Sequence, residues 1–220
     1  MCASREFVEK YYATYVGERD SIESRWARQC LKDVLGRHIL NIGCGPQLYD
    51  DASEFPIPPT ELVGIDLNES NIEFLRTSKH SRLMQSKKFL DDHGVQIKFF
   101  VHDVKVRRSD FINHFDTIYA SGVLGMFSRK DTAHILELLF KYLRPNGRFV
   151  MVSWDDDRLT AEKNAERNQY KWYWRNGVGL DEIEEILQNT GFKILKKDMH
   201  NVANPIEYEW GIIYSVVAQK

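Results

Sequence analysis

Ile39-Leu40-Asn41-Ile42-Gly43-Cys44-Gly45-Pro46-Gln47 decides how this chain is read: a short apolar run enters a Gly-x-Gly turn. Paired glycines at the end of a strand allow a tight turn and let a ligand approach the backbone with no Cβ in the way. Alone, the turn is a weak signal, and its surroundings sharpen it. About 20 residues further on, the next apolar run ends in Gly64-Ile65-Asp66, where an acidic side chain can accept hydrogen bonds from ribose hydroxyls. The third run ends in His102-Asp103, a second carboxylate at the same sheet edge, able to accept from an exocyclic adenine amine. One Asp at a strand end is often only a helix cap. Two at successive strand ends, behind a Gly-x-Gly turn, describe a nucleoside pocket.

Outward from that stretch, apolar runs recur at His38–Ile42, Glu61–Ile65, Ile97–His102, Phe115–Ala120 and Arg148–Trp154. They are short and mostly unalternated, as strands buried on both faces of a parallel sheet should be. Helix candidates fall between them at Asn71–Thr77, Ser81–Asp92 and Lys130–Tyr142, and Leu143–Gly147 (LRPNG) stops the last and turns the chain into the fifth strand. The tail differs. After a helix near Leu180–Thr190, strand-like runs at Phe192–Met199 and Trp210–Val217 are joined by a Pro/Asn-rich link too short for a crossover helix, so they pair antiparallel. The expected fold is therefore α/β: a doubly wound, seven-stranded, mostly parallel sheet with an antiparallel last strand. Two segments stand outside it. Glu6–Leu35 reads as one or two amphipathic amino-terminal helices, and a polar arm after the fifth strand ends in an aromatic-basic cluster. An insertion at a strand's carboxyl end overhangs the crevice where α/β proteins bind ligands, so the arm is a lid candidate. The chain is expected to be a single domain, residues 1–220, with a helical cap at 1–37 and the lid-like insertion at 155–178.

Composition narrows the function classes. Lys plus Arg number 30 against 32 Asp plus Glu among 220 residues, a net charge of −2, which gives no bulk reason to seek nucleic acid or an acidic membrane. Hydrophobic residues at 43% supply a core and argue against disorder. The three cysteines are scattered, and no Cys or His spacing suggests a disulfide framework or a metal site. MCASREFVEK carries charge where a signal peptide needs apolar residues, and no run approaches the roughly 20 residues that span a bilayer. A cytoplasmic protein, monomer or homodimer, with no metal, is expected.

In a dinucleotide fingerprint the pyrophosphate needs a third glycine and close approach to a helix amino terminus. Here that position is Leu48, followed by Asp50 and Asp51, whose charge would repel a pyrophosphate and tolerate a cationic sulfonium. A cationic adenosine compound is favoured over NAD. ILNIGCGPQ (Ile39–Gln47), LVGIDL (Leu62–Leu67), VHDV (Val101–Val104), FDTIYASGVL (Phe115–Leu124) and LRPNGRFVM (Leu143–Met151) resemble, in order and spacing, the class I, Rossmann-like S-adenosylmethionine-dependent methyltransferases. The resemblance spans about residues 38–219, and that family's last strand is antiparallel. It implies that Gly43 and Gly45, with Cys44 between them, line the methionine part of S-adenosylmethionine. Asp66, followed by Leu67, would bind the ribose; Asp103, flanked by His102 and Val104, the adenine amine; and Ser121 would sit beside the cofactor. Two departures bear on the loop: Asn41 replaces the usual acidic residue of the first strand, and Pro46-Gln47 replaces a third glycine.

The fourth strand ends in Tyr119-Ala120-Ser121-Gly122 rather than the Asn/Asp-Pro-Pro-aromatic run of enzymes acting on amide or base nitrogens, which resembles the small-molecule branch of the family. The arm carries Arg158, Lys163, Arg167, Lys171 and Arg175 among Tyr170, Trp172, Tyr173 and Trp174. It is either a solvated helix with aromatics on the core or a lid in which Arg167, Lys171, Tyr173 and Arg175 hold an anionic acceptor such as a carboxylate or phosphonate. Tyr11 and Tyr15, spaced i, i+4, are either a core-facing pair or a cap over cofactor and acceptor. His102 is a general-base candidate by its titration range, beside a structural alternative. No side chain is assigned as catalytic. Methylation of a small molecule on oxygen or nitrogen is the leading expectation; protein or peptide methylation and a catalytically silent methyltransferase-fold binding partner are the alternatives. If the lid reading holds, the double substitution Arg167→Ala/Lys171→Ala raises KM for the acceptor; unchanged kcat and KM in steady-state assays would refute it.

Overall fold

The structure, a computed structural model, describes residues 5–17, 28–155, 178–201 and 212–220. Its strands are β1 (His38–Ile42), β2 (Glu61–Asp66), β3 (Gln96–Val101), β4 (Phe115–Ser121), β5 (Leu143–Asp155), β6 (Lys193–Asn201) and β7 (Ile212–Gln219). They form one sheet in the order β3-β2-β1-β4-β5-β7-β6. The first five pair in parallel, whereas β7 runs antiparallel to both β5 and β6. The mostly parallel, doubly wound sheet and its reversed last strand match the sequence expectation, and β7 is inserted between β5 and β6 rather than added at the edge.

Successive residues of each strand supply opposite faces. On one face, Leu40, Ile42, Val63, Ile65, Ile118, Phe149, Met151 and Val216 pack with α5 (Arg129–Tyr142) and α6 (Leu180–Thr190). On the other, Ile39, Leu62, Tyr119, Val150 and Val217 pack with α1 (Arg5–Gly17), α3 (Glu69–Thr77) and α4 (Ser81–Asp92). A short helix, α2 (Leu48–Ala52), follows the glycine turn. Side-chain caps mark two helix starts: Asn68 accepts from Ser70 N–H and Ser128 from Asp131 N–H.

Three expectations need correction. The third apolar run is not buried on both faces: β3 is an edge strand with every side chain at least partly exposed, Val101 at 47%. Leu143–Gly147 ends the helix at Tyr142 but is the bulged beginning of β5, with Leu143 opposite Phe115 and Asn146 at φ +64°. The chain end holds it there: Lys220 N–H donates to the Gly147 carbonyl and Lys220 Nζ to that of Leu143. Asp50 and Asp51, read as charge facing a ligand past the turn, sit inside α2 at 1% and 5% exposure.

Asp50 shows why. Its carboxylate accepts 2.5 Å hydrogen bonds from Tyr12 Oη of α1 and Ser86 Oγ of α4, with Arg82 Nε 3.6 Å away. A buried carboxylate is tolerated only with such partners. Tyr12 is fully buried, its ring 4.9 Å from Phe74 and 5.0 Å from His80. It thereby docks α1 against α3 and the 45–47 turn.

At the opposite, amino-terminal end of the strands, Glu61 pairs with Lys98 at 2.6 Å and with His114 Nε2 at 2.5 Å. Asp116 accepts from the N–H groups of Arg37 and His38 and from Arg144. Burial pushes both carboxyls up, but these donors outweigh it and hold them below the usual carboxylate range. Among the described residues no helix is long and apolar enough to cross a membrane.

Two outcomes are expected. Tyr12→Phe removes one donor from buried Asp50 and lowers stability by about 1–3 kcal/mol, read from the urea midpoint. Because folding lowers the Glu61 pKa, its contribution is complete above the ordinary glutamate value of about 4.3 and is lost as pH falls through the lower folded value. Glu61→Gln therefore destabilises the protein at pH 7, and its urea midpoint falls less than that of wild type between pH 5 and pH 3.

Candidate functional site

The sheet order sets β3, β2, β1 and β4 side by side, so the segments following their carboxyl ends share one edge. After β1, Gly43 and Gly45 adopt φ +57° and +54°, the left-handed region that a side chain disfavours. A Cβ on Gly43 would stand 2.5 Å from Val123 Cγ2, so the turn approaches the segment after β4 as closely as a glycine allows. Between the two, Cys44 N–H donates to the Ile65 carbonyl. This bond continues the pairing of β1 with β2 and turns the next amide toward the end of β2.

That amide meets Asp66. Gly45 N–H donates to Asp66 Oδ2 at 2.9 Å, Asn68 N–H to Oδ1 at 2.7 Å, and Asn71 Nδ2 to Oδ2 at 3.1 Å. Asp66 is 9% exposed, its carboxylate fixed at the edge by these donors. Its neighbour Leu67 is 62% exposed, an apolar side chain presented beside it. His102 N–H donates to the Asp66 carbonyl, tying the segment after β3 to the same point. Asp103 is half-buried; Lys105 N–H donates to its Oδ1, and among the described residues Oδ2 has no hydrogen-bonded partner. Ser121 ends β4, half-buried, and Gly122 follows with φ +67°; among the described residues, its chain neighbours aside, no atom lies within 4 Å of where its Cβ would stand.

Gly43, Gly45, Asp66, Leu67, His102, Asp103 and Ser121 are thus brought to one edge. Three side chains there are engaged or buried within the protein itself. His102 Nε2 lies 2.9 Å from the Val106 carbonyl, so this ring nitrogen holds the 102–106 turn. Val104 is 7% exposed and belongs to the core. Burial, then the negative charge of Asp66, pushes the Cys44 thiol well above its usual value, which leaves it an unreactive thiol. Tyr119, fully buried behind Ser121, is likewise pushed well up by burial and stays a neutral phenol. Tyr11 and Tyr15 lie on α1, their side chains outside the described residues, as are Arg167, Lys171, Tyr173 and Arg175. Sequence reasoning missed Tyr12, Asp50 and Asn71; each acts through a partner far along the chain or across a turn.

The edge offers backbone around a close turn, two carboxylates and an exposed apolar side chain. This donor set fits an adenosine: acceptors for hydroxyls and an amine. Leu48, fully buried, fills the space a dinucleotide loop leaves open; its Cδ2 would stand 2.7 Å from a Cβ on Gly64. The acidic pair contributes no surface repulsion, because Asp50 and Asp51 are buried and Asp50 is engaged by Tyr12 and Ser86.

Comparison with known proteins agrees. A family model described as a methyltransferase domain matches residues 15–197. A demethylmenaquinone methyltransferase of Lactococcus lactis is 20% identical over 200 residues, covering 80% of this chain and 74% of its own. Among solved structures, a Haloferax volcanii putative methyltransferase, in complex with the Trm112 methyltransferase activator, superposes with a TM-score of 0.67 at 13% identity, covering 98% and 96% of the two chains. The N-methyltransferase NodS of Bradyrhizobium japonicum, in complex with S-adenosyl-L-homocysteine, superposes with a TM-score of 0.65 at 14% identity, covering 92% and 89%. With the glycine turn and the paired carboxylates at one sheet edge, the family match shows that the chain belongs to the methyltransferase domain family, as a class I S-adenosylmethionine-dependent methyltransferase.

Proposed function

We propose that this enzyme methylates an oxygen or nitrogen of a small, anionic metabolite, a carboxylate or a phosphonate, within a single catalytic domain. The observation that carries the reading is the end of β4. Ser121-Gly122 lies beside the glycine turn, and the space left open at Gly122 among the described residues gives a compact acceptor room next to the methyl donor. The connection between β5 and α6 starts at the same edge, and its sequence supplies Arg167, Lys171, Tyr173 and Arg175 for an anion. Tyr11 and Tyr15 belong to α1, which packs against the 45–47 turn, and they are assigned to cover the acceptor. The similar Bradyrhizobium protein is an N-methyltransferase, which supports nitrogen among the acceptor atoms.

S-adenosylmethionine supplies a methyl group activated on a sulfonium. Asp66 accepts from the ribose, Leu67 covers an apolar face of the nucleoside, and Asp103 Oδ2 accepts from the adenine amine. The segment at His102 and Val104 flanks the base. Backbone at Gly43, Cys44 and Gly45 lies against the methionine part, and Ser121 stands beside it. Cys44 and Tyr119 hold their protons, so the reading assigns catalysis to proximity and alignment of donor and acceptor.

Calorimetric titration should give S-adenosylmethionine binding and none of NAD. Asp66→Ala should weaken S-adenosylmethionine about tenfold or more while the circular dichroism spectrum stays unchanged. Screening carboxylates, phosphonates, amines and phenols with a coupled S-adenosylhomocysteine assay should find turnover among the small anions. Turnover confined to peptides overturns the acceptor assignment, and undiminished binding by Asp66→Ala overturns the ribose assignment.

A further inference from the structure

A carboxylate offers about four lone-pair positions, two on each oxygen. At Asp66 three are taken by the protein itself. Oδ2 accepts from both Gly45 N–H and Asn71 Nδ2, and among the described residues Oδ1 accepts from Asn68 N–H alone. The two oxygens are therefore unequal: Oδ2 is filled, and Oδ1 keeps one position.

Asn71 makes the difference. It stands in the first turn of α3, half-buried, and its side-chain amide is not needed to start the helix. Asn68 already caps it by accepting from Ser70 N–H, and Asn71 N–H bonds the Asn68 carbonyl. The Asn71 carboxamide is aimed back across the turn at Asp66 instead, where a neutral donor holds the carboxylate without cancelling its charge.

We propose that Asn71 is a positioning and specificity residue for the ribose of the cofactor, closing Asp66 Oδ2 so that Asp66 engages one ribose hydroxyl, through Oδ1. This rests on the assignment of Asp66 to the ribose made above. The enzyme then discriminates between the two hydroxyls, and the discrimination comes from a residue that touches neither.

The test is calorimetric titration of the full chain with S-adenosylhomocysteine and with its 2′-deoxy and 3′-deoxy ribose analogues. Wild type, Asn71→Ala, Asn71→Gly and Asp66→Ala are compared, each checked by its thermal midpoint. Wild type should lose about ten- to a hundredfold in affinity with one analogue and less than about twofold with the other. In both Asn71 variants the second hydroxyl gains access to Oδ2, so each analogue should cost about tenfold relative to that variant's own binding of the parent ligand. A purely structural role for Asn71 would change affinity for all three ligands alike and preserve the one-sided pattern. The proposal is overturned by wild type that penalises both analogues equally, a result that needs no variant, or by Asn71 variants that keep the wild-type pattern. Failure of the underlying ribose assignment looks different: Asp66→Ala then binds all three ligands as wild type does.

Discussion

The 2.9 Å hydrogen bond from Gly45 N–H to Asp66 is the constraint on which the binding edge rests. It can form only if the turn after β1 enters the left-handed region twice, at Gly43 and Gly45. It also needs β1 and β2 in a parallel register that sets Ile42 opposite Ile65, one residue before Asp66. Once made, it fixes the carboxylate; through the next backbone bond, His102 N–H to the Asp66 carbonyl, it also fixes the start of the segment bearing Asp103. The close contact of Gly43 with Val123 extends the same frame to β4. Two glycines thus align four strand ends, which is why a ligand at this edge meets groups from all of them.

The remote half of the architecture protects that alignment. α2 is only five residues long and begins immediately after the turn, so its own propensity cannot hold it. Asp50 anchors it from within, by accepting from α1 and α4 together. The cap helix is therefore bonded to the element that follows the cofactor turn, and a disturbance of either reaches the other through one buried carboxylate. The ion pairs of Glu61 and Asp116 secure the opposite ends of the strands, far from the chemistry, and give the sheet its sensitivity to acid.

Much of this was readable in advance, and the reasons differ by element. The runs that became β1, β2, β4 and β5 announce themselves because burial on both faces demands continuous apolar residues. The run at Ile97–His102 carries the same signal, yet lies at an edge: periodicity reports hydrophobicity, and the sheet order decides what covers it. Asp66 and Asp103 were visible because strand ends and a Gly-x-Gly turn are local features. Asp50 looked like surface charge, since the partners that bury it are Tyr12 and Ser86, 38 and 36 residues away. Asn71 gave no signal at all, because an Asn in a first helical turn is ordinary until the acceptor it reaches is known. Within α1 the spacing drew notice to Tyr11 and Tyr15, while burial by α3 selected Tyr12; the phase of an amphipathic helix is set by what it packs on.

The insertion of β7 between β5 and β6 also orders events in time. Among the described residues β6 has no neighbour in the sheet except β7, and β7 leaves the ribosome after the other six strands. Strands β1 to β5 can zip together as they emerge, each joined by a crossover to a neighbour already made. β6 has nothing to pair with until Ile212–Gln219 arrives and bonds on both sides at once. The nascent chain therefore carries an unpaired β5 flank until synthesis reaches β7, and closure of the sheet is a single late step joining distant parts of the sequence. Contacts of such long sequence separation are slow to form, so the β7 segment governs both the folding rate and the interval during which that flank is exposed to wrong partners.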